Sequence, residues 1–222
     1  LLTVKKFWPM TFDTFNKLIP KIKKMAVPVE TSHFIMAPHL RIRELSTIKI
    51  EEKNPRTAAV SMLFYPKNDI AHLVLILRPT YEGVHSGQIA LPGGRVEDSD
   101  PDYEYAALRE TWEEVGVPID TMQVIKPLTR VYIPPSNFWV YPYIASTDYT
   151  PQFVPQEDEV EKVIEIPVEE LLHDSNVSSQ KLTTSYAHNI DVPVFKLNGY
   201  TVWGATAMML SELKTFLKTV LD

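Results

Sequence analysis

The chain alternates between short apolar runs and proline-rich segments, and this pattern predicts a mixture of strands and helices. Two β-like runs, 58–65 and 72–78, are separated by the turn-forming residues PKND. Residues 11–25 read as a helix that Pro20 kinks or divides, and proline punctuates an irregular stretch over 26–57. Further strands are expected at 122–133, 138–145, 160–166 and 192–203, and further helices at 101–115, 167–172 and 204–221.

The order of these elements indicates the fold class. Strands and helices interleave without a regular βαβ rhythm, which favours an α/β (α+β) fold with a mixed sheet flanked by helices. A chain of 222 residues can bury roughly 70% of its unfolded surface, so one sizeable core is feasible. We expect a helical and irregular extension over residues 1–50, packed on or beside a main domain that spans residues 51–222.

Composition excludes several classes of function. The sequence has no cysteine, which rules out a disulfide scaffold, a cysteine-ligated zinc site and a cysteine nucleophile. The net charge of −6 argues against a general nucleic-acid binder, and no apolar run approaches the roughly 20 residues that span a bilayer. No P-loop, GxGxxG or GxSxG motif is present. We therefore expect a cytoplasmic protein without a nucleic-acid or membrane partner, with a homodimer as one possible assembly.

The most informative stretch is LPGGRVEDSDPDYEYAALRETWEEVGV, residues 91–117, in which a glycine turn precedes an acidic helix. Asp100 is the expected N-cap, Pro101 suits the first helical position, and Gly116 suits a left-handed end. One side of the helix carries two alanines, so another backbone can approach closely there. The opposite side is predicted to anchor the helix to the core through Tyr105, Leu108, Trp112 and Val115.

Three carboxylates share one face of this helix. At 100° per residue, Glu110, Glu113 and Glu114 lie within an arc of about 100°. Like charges at this spacing repel, so a cleft would need a divalent cation to hold them together. Carboxylate oxygens suit Mg²⁺ or Mn²⁺. Arg109 lies beside Glu113 on the helix and can orient a carboxylate through a charge-assisted hydrogen bond.

These residues resemble a known motif. Gly94, followed by RETWEEVG from Arg109 to Gly116, is similar to the Nudix box, in which a glycine precedes a helix bearing R-E-x-x-E-E-x-G. The resemblance implies a Nudix-type α/β/α sandwich with a mixed sheet. It also implies Mg²⁺- or Mn²⁺-assisted hydrolysis of a nucleoside diphosphate linked to another moiety.

The resemblance to the motif implies functions for individual residues. By resemblance, Glu110, Glu113 and Glu114 bind the metal, and Arg109 belongs to the catalytic set with them. The loop before the helix holds one residue more than the usual spacing, so the early acid of the pattern falls at Asp100 and its role is left open.

The loop before the box is similar to the coenzyme A pyrophosphatase subfamily. The segment SGQIALPGG, residues 86–94, matches its G-x-x-x-F-P-G-G entry with Leu91 in the phenylalanine position. The fuller signature also has an arginine and threonines further back, where this chain holds Gly83, Ile76 and Arg78, so the match is partial. Three later segments look like the same subfamily: PPSNF at 134–138, EDEV at 157–160 and WGATA at 203–207.

This subfamily implies hydrolysis of coenzyme A or acyl-CoA to 3′,5′-ADP and (acyl-)4′-phosphopantetheine. Candidate substrate-binding residues are Arg78, Gly93, Gly94 and Arg95. The 3′-phosphate of such a substrate is expected to bind a basic side chain, for which the candidates are Arg78, Arg95 and Arg130.

The last candidate catalytic residue is Glu159, in the acidic segment QEDEVE. By resemblance it reaches the metal site or acts as the general base, and a solvated acidic loop is the alternative. Two other functions stay open: a Nudix hydrolase of ADP-ribose, NADH or a dinucleotide polyphosphate, and a non-catalytic module that binds a nucleotide or a protein.

Overall fold

The computed structural model describes residues 10–80, 82–83, 85–185 and 187–222. The helices are α1 (Phe12–Lys24), α2 (Thr31–Phe34), α3 (His39–Thr47), α4 (Tyr103–Val115), α5 (Val168–Leu172) and α6 (Gly204–Leu221). The strands are β1 (Arg56–Lys67), β2 (Ile70–Leu77), β3 (Ile89–Ala90), β4 (Gly93–Arg95), β5 (Gln123–Pro127), β6 (Val131–Ile133), β7 (Phe138–Ser146), β8 (Lys162–Pro167), β9 (Val177–Leu182), β10 (Ile190–Leu197) and β11 (Tyr200–Val202).

The main sheet has eight strands and is mixed, as predicted. Its central order is β3-β2-β1-β7-β5, with β4 paired to β1, β6 to β7 and β8 to β2. The β1–β7 pair is parallel and runs from Arg56 opposite Phe138 to Phe64 opposite Ser146, whereas the other pairs are antiparallel. Strands β9, β10 and β11 form a separate antiparallel sheet of three.

Strand β1 is buried on both faces, which separates the helices into two layers. On one face Phe64 stacks on Phe15 of α1 with ring centroids 4.4 Å apart, in the large core cluster that also includes residues of α6. On the other face Ala59 packs with Ala106 and Ala107 of α4. Because side chains alternate along a strand, one strand supports both layers of the α/β/α sandwich.

The N-terminal stretch contains more helix than its prolines predict. Helix α1 continues through Pro20, because the carbonyl that Pro20 leaves without a donor belongs to Asn16, which is exposed to water. Residues 26–57, expected to be irregular, form α2, α3, a short 3-10 turn and the start of β1.

A buried ion pair fixes this stretch to the last helix. The His33 ring nitrogen lies 3.0 Å from a Glu212 carboxylate oxygen, and both side chains are buried. The same carboxylate accepts hydrogen bonds from the backbone N–H and the hydroxyl of Thr129, two residues before β6. The division of the chain at residue 50 stays a prediction.

Some predicted strands are interrupted by turns. The stretch 122–133 forms β5 and β6, and 192–203 lies in the hairpin of β10 and β11, where Asn198 and Gly199 both have positive φ. Strand β9 was not predicted from the sequence, because its alternation of polar and half-buried residues is weak. In the described part of the chain, no helix is long and apolar enough to span a membrane.

Candidate active site

The N-cap of helix α4 lies two residues later than predicted. The carboxylate of Asp102 accepts a hydrogen bond from the Tyr105 backbone N–H at 2.7 Å, which makes Asp102 the N-cap and corrects the prediction for Asp100. The helix ends at Gly116, whose φ of 77° confirms the predicted left-handed end. Asp100 is instead held in a tertiary contact with Arg109.

The predicted anchoring face of α4 is correct for Val115, which is buried, and for Leu108, which packs against the core, but wrong for Tyr105 and Trp112. Trp112 is 48% exposed and Tyr105 is 39% exposed, so the aromatic side of the helix faces solvent. The side that is buried carries mostly small residues together with one carboxylate: Ala106, Ala107, Thr111, Glu114 and Val115. Small side chains occupy the buried face because they let the helix lie directly on β1 and β4. At this contact the Thr111 and Ser61 hydroxyls form a hydrogen bond of 2.5 Å.

Two glycines allow the turn before α4 to touch the helix. Gly93 has a φ of 146°, and its N–H donates to a Glu114 carboxylate oxygen at 2.8 Å. A Cβ on Gly93 would come within 2.5 Å of Val60 Cα, and a Cβ on Gly94 would overlap the Glu110 carboxylate. The backbone of the turn therefore requires glycine at position 93, whereas at position 94 glycine leaves room for the Glu110 carboxylate.

Burial perturbs two carboxyl groups in this site. Burial raises the pKa of Glu114 to about 8, although the Gly93 N–H and the positive charge of Arg78 act against the shift. Burial also raises the pKa of Glu110, against the charge of Arg109. The nearby charge of Glu159 raises both pKa values further. The site thus holds more negative charge than its own surroundings neutralise.

Arg109 connects the carboxylates of the helix to the preceding loop. Its Nε and Nη2 donate to the two oxygens of Asp100 at 2.8 and 2.9 Å, and Nη1 donates to Glu110 at 3.0 Å and to Glu113 at 2.7 Å. Nη2 also donates to the backbone carbonyl of Arg95 at 3.1 Å. The hydrogen bonds from Arg109 lower the pKa of Asp100. Arg109 therefore orients two of the three helix carboxylates, and Asp100 orients Arg109.

The Glu159 loop is tied to the end of α4 by backbone contacts. The Val154 N–H donates to the Val115 carbonyl and the Gln156 N–H to the Glu114 carbonyl, each at 3.0 Å. These bonds bring the exposed Glu159 close enough to affect Glu110 and Glu114. We name the group formed by Glu110, Glu113, Glu114 and Glu159 the carboxylate site.

The donor atoms of the carboxylate site suit a divalent cation, but their arrangement is set by other partners. Among residues 10–80, 82–83, 85–185 and 187–222, no three His, Cys, Asp or Glu side chains are grouped closely enough to hold a metal ion. Arg109 engages Glu110 and Glu113, and the Gly93 N–H engages Glu114. All-oxygen ligands and excess negative charge fit Mg²⁺ or Mn²⁺, and binding would require these side chains to reorient.

A cleft of about 620 Å³ is lined in part by the Gly93–Gly94 turn. The predicted substrate-binding residues Arg78, Gly93, Gly94 and Arg95 all line it. Much of its remaining wall is apolar, with contributions from Leu91, Val140, Met208 and Met209. Its size and lining match those of sites for small organic ligands.

One of the arginines predicted to bind substrate lies outside this cleft, and one arginine that lines the cleft was not predicted. The Arg130 guanidinium stacks 4.0 Å from the Trp139 ring and donates to the Tyr141 hydroxyl, and Arg130 does not line the cleft. Arg41 of α3 does line it, although no motif or spacing connects this stretch with the site. Only tertiary packing brings residue 41 next to residues 132–138.

Comparison with known proteins agrees with this geometry. A NUDIX domain matches residues 55–186. The chain is 31% identical over 176 residues to the mitochondrial coenzyme A diphosphatase NUDT8 of Homo sapiens, covering 77% of this chain and 74% of that protein. It is 32% identical over 167 residues to the uncharacterized Nudix hydrolase NudL of Escherichia coli, covering 75% of this chain and 85% of that protein.

Solved structures agree at the level of the fold. The Nudix hydrolase RenU from M. smegmatis superposes with a TM-score of 0.51 at 19% identity, over 74% of this chain and 87% of that one. The MutT protein from Methanosarcina mazei gives a TM-score of 0.50 at 15% identity, over 75% and 96%.

The family match and the curated relatives indicate a pyrophosphate hydrolase that acts on a small nucleotide substrate. The chain belongs to the Nudix family, and it is a Nudix pyrophosphohydrolase. Nudix hydrolases generally use divalent metal ions.

Proposed function

We propose that this Nudix hydrolase cleaves the pyrophosphate bond of coenzyme A or acyl-CoA, releasing 3′,5′-ADP and (acyl-)4′-phosphopantetheine. The observation that carries the proposal is the buried Glu114 beside the half-buried Glu110, both in contact with a Gly93–Gly94 turn that also lines an arginine-bearing cleft. Such an arrangement brings a phosphorus atom between a base and positive charge.

The carboxylate site would hold the divalent cation through Glu110, Glu113 and Glu114, with Mg²⁺ or Mn²⁺ as the candidates. The cation supplies Lewis-acid stabilisation of charge on the phosphate oxygens, which the glutamates would otherwise repel. Arg109 acts as a positioning residue, because it holds Glu110 and Glu113 while Asp100 holds it.

Water must lose a proton as it attacks phosphorus, and a carboxylate of this site would accept it. Glu159 is the candidate base, because it is exposed at the edge of the site and its charge acts on Glu110 and Glu114. On the cleft side, Arg78 and Arg95 would bind the phosphate oxygens, and the N–H groups of the Gly93–Gly94 turn would limit where the pyrophosphate lies.

The choice of coenzyme A among nucleotide substrates is supported by two observations. The relative NUDT8 is named a coenzyme A diphosphatase. The cleft combines arginines with a long apolar wall, which suits a ligand with phosphates at one end and an apolar chain at the other. A cytoplasmic location and a homodimer stay predictions.

The test is a substrate panel with product masses. The purified protein is incubated with Mg²⁺ or Mn²⁺ and coenzyme A, acetyl-CoA, ADP-ribose, NADH or diadenosine polyphosphates, with Glu114→Gln as the blank. We expect 3′,5′-ADP from the coenzyme A compounds. AMP from ADP-ribose or NADH, with coenzyme A intact, would instead establish the second candidate function. No turnover of any compound would favour a binding module.

A further inference from the structure

The cleft has a charge pattern unlike the rest of the chain. The whole sequence carries a net charge of −6, yet three arginines line the cleft and no aspartate or glutamate is among its described lining residues. Walls of one charge sign concentrate ligands of the opposite sign. The cleft is therefore suited to an anion that carries more than one charged group.

Two of these arginines lie at the end of the cleft that is next to the carboxylate site. The charge of Arg78 acts on Glu114, so Arg78 lies beside the catalytic carboxylates. Arg95 follows Gly94 directly, and its carbonyl is bound by Arg109. Under the proposed function, both would contact the pyrophosphate that is cleaved.

The third arginine, Arg41, approaches the cleft from another direction. Its ion-pair partner is Glu44, three residues later on α3. Burial raises the pKa of the Tyr132 hydroxyl, and the negative charge of Glu44 raises it further, so Glu44 lies near that hydroxyl. That hydroxyl donates to Asn137 in the turn between β6 and β7. Arg41 thus belongs to the β6–β7 side of the cleft.

The environment of Arg41 prepares it for anion binding. Its side chain is only 11% exposed although it carries a charge, and Glu44 holds one of its terminal nitrogens. A guanidinium presents five N–H donors in a rigid plane, a geometry that matches the oxygens of a phosphate as well as those of a carboxylate. Helix α3 precedes the NUDIX match at residues 55–186, so the family domain alone would lack this group.

We infer that Arg41 is a specificity-determining residue that binds a second phosphate of the substrate, outside the pyrophosphate that is cleaved. In a coenzyme A substrate that group is the ribose 3′-phosphate. This inference rests on the proposed function, and it assigns a role in substrate choice to the N-terminal stretch.

The experiment compares coenzyme A with 3′-dephospho-coenzyme A, which differ only in that phosphate. Arg41→Gln is expected to lower kcat/KM for coenzyme A by about tenfold, mainly through KM, and to leave the value for the dephospho compound within about twofold. Arg43→Gln removes the same charge from an exposed position of the same helix and is expected to change neither value. Arg41→Lys keeps the charge without the planar fork and should fall between the two.

An equal loss on both substrates, or no loss on either, would overturn the inference. Equilibrium binding of 3′,5′-ADP and of 5′-AMP by calorimetry tests the same contact without turnover. If the panel shows that coenzyme A is not a substrate, the proposed function fails. The Arg41 inference then fails as well only if Arg41→Gln leaves the preference for 3′,5′-ADP over 5′-AMP unchanged.

Discussion

The carboxylate site and the cleft both adjoin the Gly93–Gly94 turn and have opposite charge. The first gathers four glutamates, two of them with raised pKa values, whereas arginines but no described carboxylates line the second. A substrate rich in phosphate is attracted by the cleft and repelled by the site where its bond must break. Under the proposed function, the arginines of the cleft would bind the substrate, and a cation would bring the reacting phosphate to the glutamates.

The largest effect on activity is expected when one carboxylate of the carboxylate site is replaced by an amide. Glu114→Gln should lower kcat by at least about 1000-fold while the fold stays intact, because this buried carboxylate is central to the proposed cation site. Turnover and thermal unfolding are measured together. Glu104→Gln, on the same helix but exposed, is the control. Unchanged activity in folded Glu114→Gln would disprove the metal assignment.

A methyl group on the turn tests whether the two regions depend on close contact. Gly94→Ala should lower kcat by roughly 100-fold with little loss of stability, because its Cβ would displace the Glu110 carboxylate. Gly93→Ala should instead destabilise the fold by more than about 2 kcal/mol, since its Cβ meets the backbone of Ala59 and Val60. Chemical denaturation and steady-state kinetics of both variants separate the two effects, and equal outcomes would contradict this division.

The raised pKa of Glu114 predicts how stability changes with pH when no cation is present. The folded-state pKa of about 8 exceeds the usual 4.5, so the folded protein holds the proton more tightly and loses stability as pH rises between these values. From about pH 6 to pH 8 the free energy of unfolding should fall by about 2 kcal/mol. Urea denaturation in EDTA measures it.

Two comparisons check that this pH dependence comes from Glu114. The fall should be largely absent in Glu114→Gln, which has no proton to lose. Adding Mg²⁺ at pH 8 should raise the Tm of the wild type more than that of the variant. A pH dependence that persists unchanged in the variant would place the effect elsewhere.

Loss of the Asp100 carboxylate, which binds Arg109, should lower kcat by less. Asp100→Asn is expected to lower kcat by about tenfold and the free energy of unfolding by about 1–2 kcal/mol, because Arg109 loses a two-pronged ionic partner. The pKa of Asp100 is lowered from 3.8, so its contribution is present above that value and is lost as pH falls through the lower, folded-state pKa. The stability difference between wild type and variant, measured by urea denaturation, should therefore shrink below about pH 4. Asp98→Asn, in the same loop, serves as the control.

The smallest effect is expected on the outer face of α4. Trp112→Gln should change the free energy of unfolding by less than about 1 kcal/mol and leave kcat unaffected, because nearly half of the side chain is exposed. Thermal unfolding and the coenzyme A assay provide the measurement. A large loss would mean that the aromatic side of the helix is, after all, its anchor.

Much of the carboxylate site could be read from the sequence because its geometry is local. Residues three and four apart share a helix face, so Glu110, Glu113 and Glu114 were expected together, and Gly116 was expected to end the helix. The same reasoning was right for Val115, Leu108 and the close approach at the alanines, and wrong for Tyr105 and Trp112. Hydrophobicity favoured Trp112, whereas the close approach to β1 required alanines.

Contacts between distant residues were decided by the tertiary structure alone. No local rule pairs Asp100 with Arg109 rather than with the helix N-terminus, turns Arg130 onto Trp139, or brings Arg41 to the cleft. The sequence by itself determined most of the elements after residue 57, the mixed sheet and the spacing of the glutamates. The charge of the cleft and the choice of helix face followed from how the layers pack, because burial and close approach depend on residues far apart in the chain.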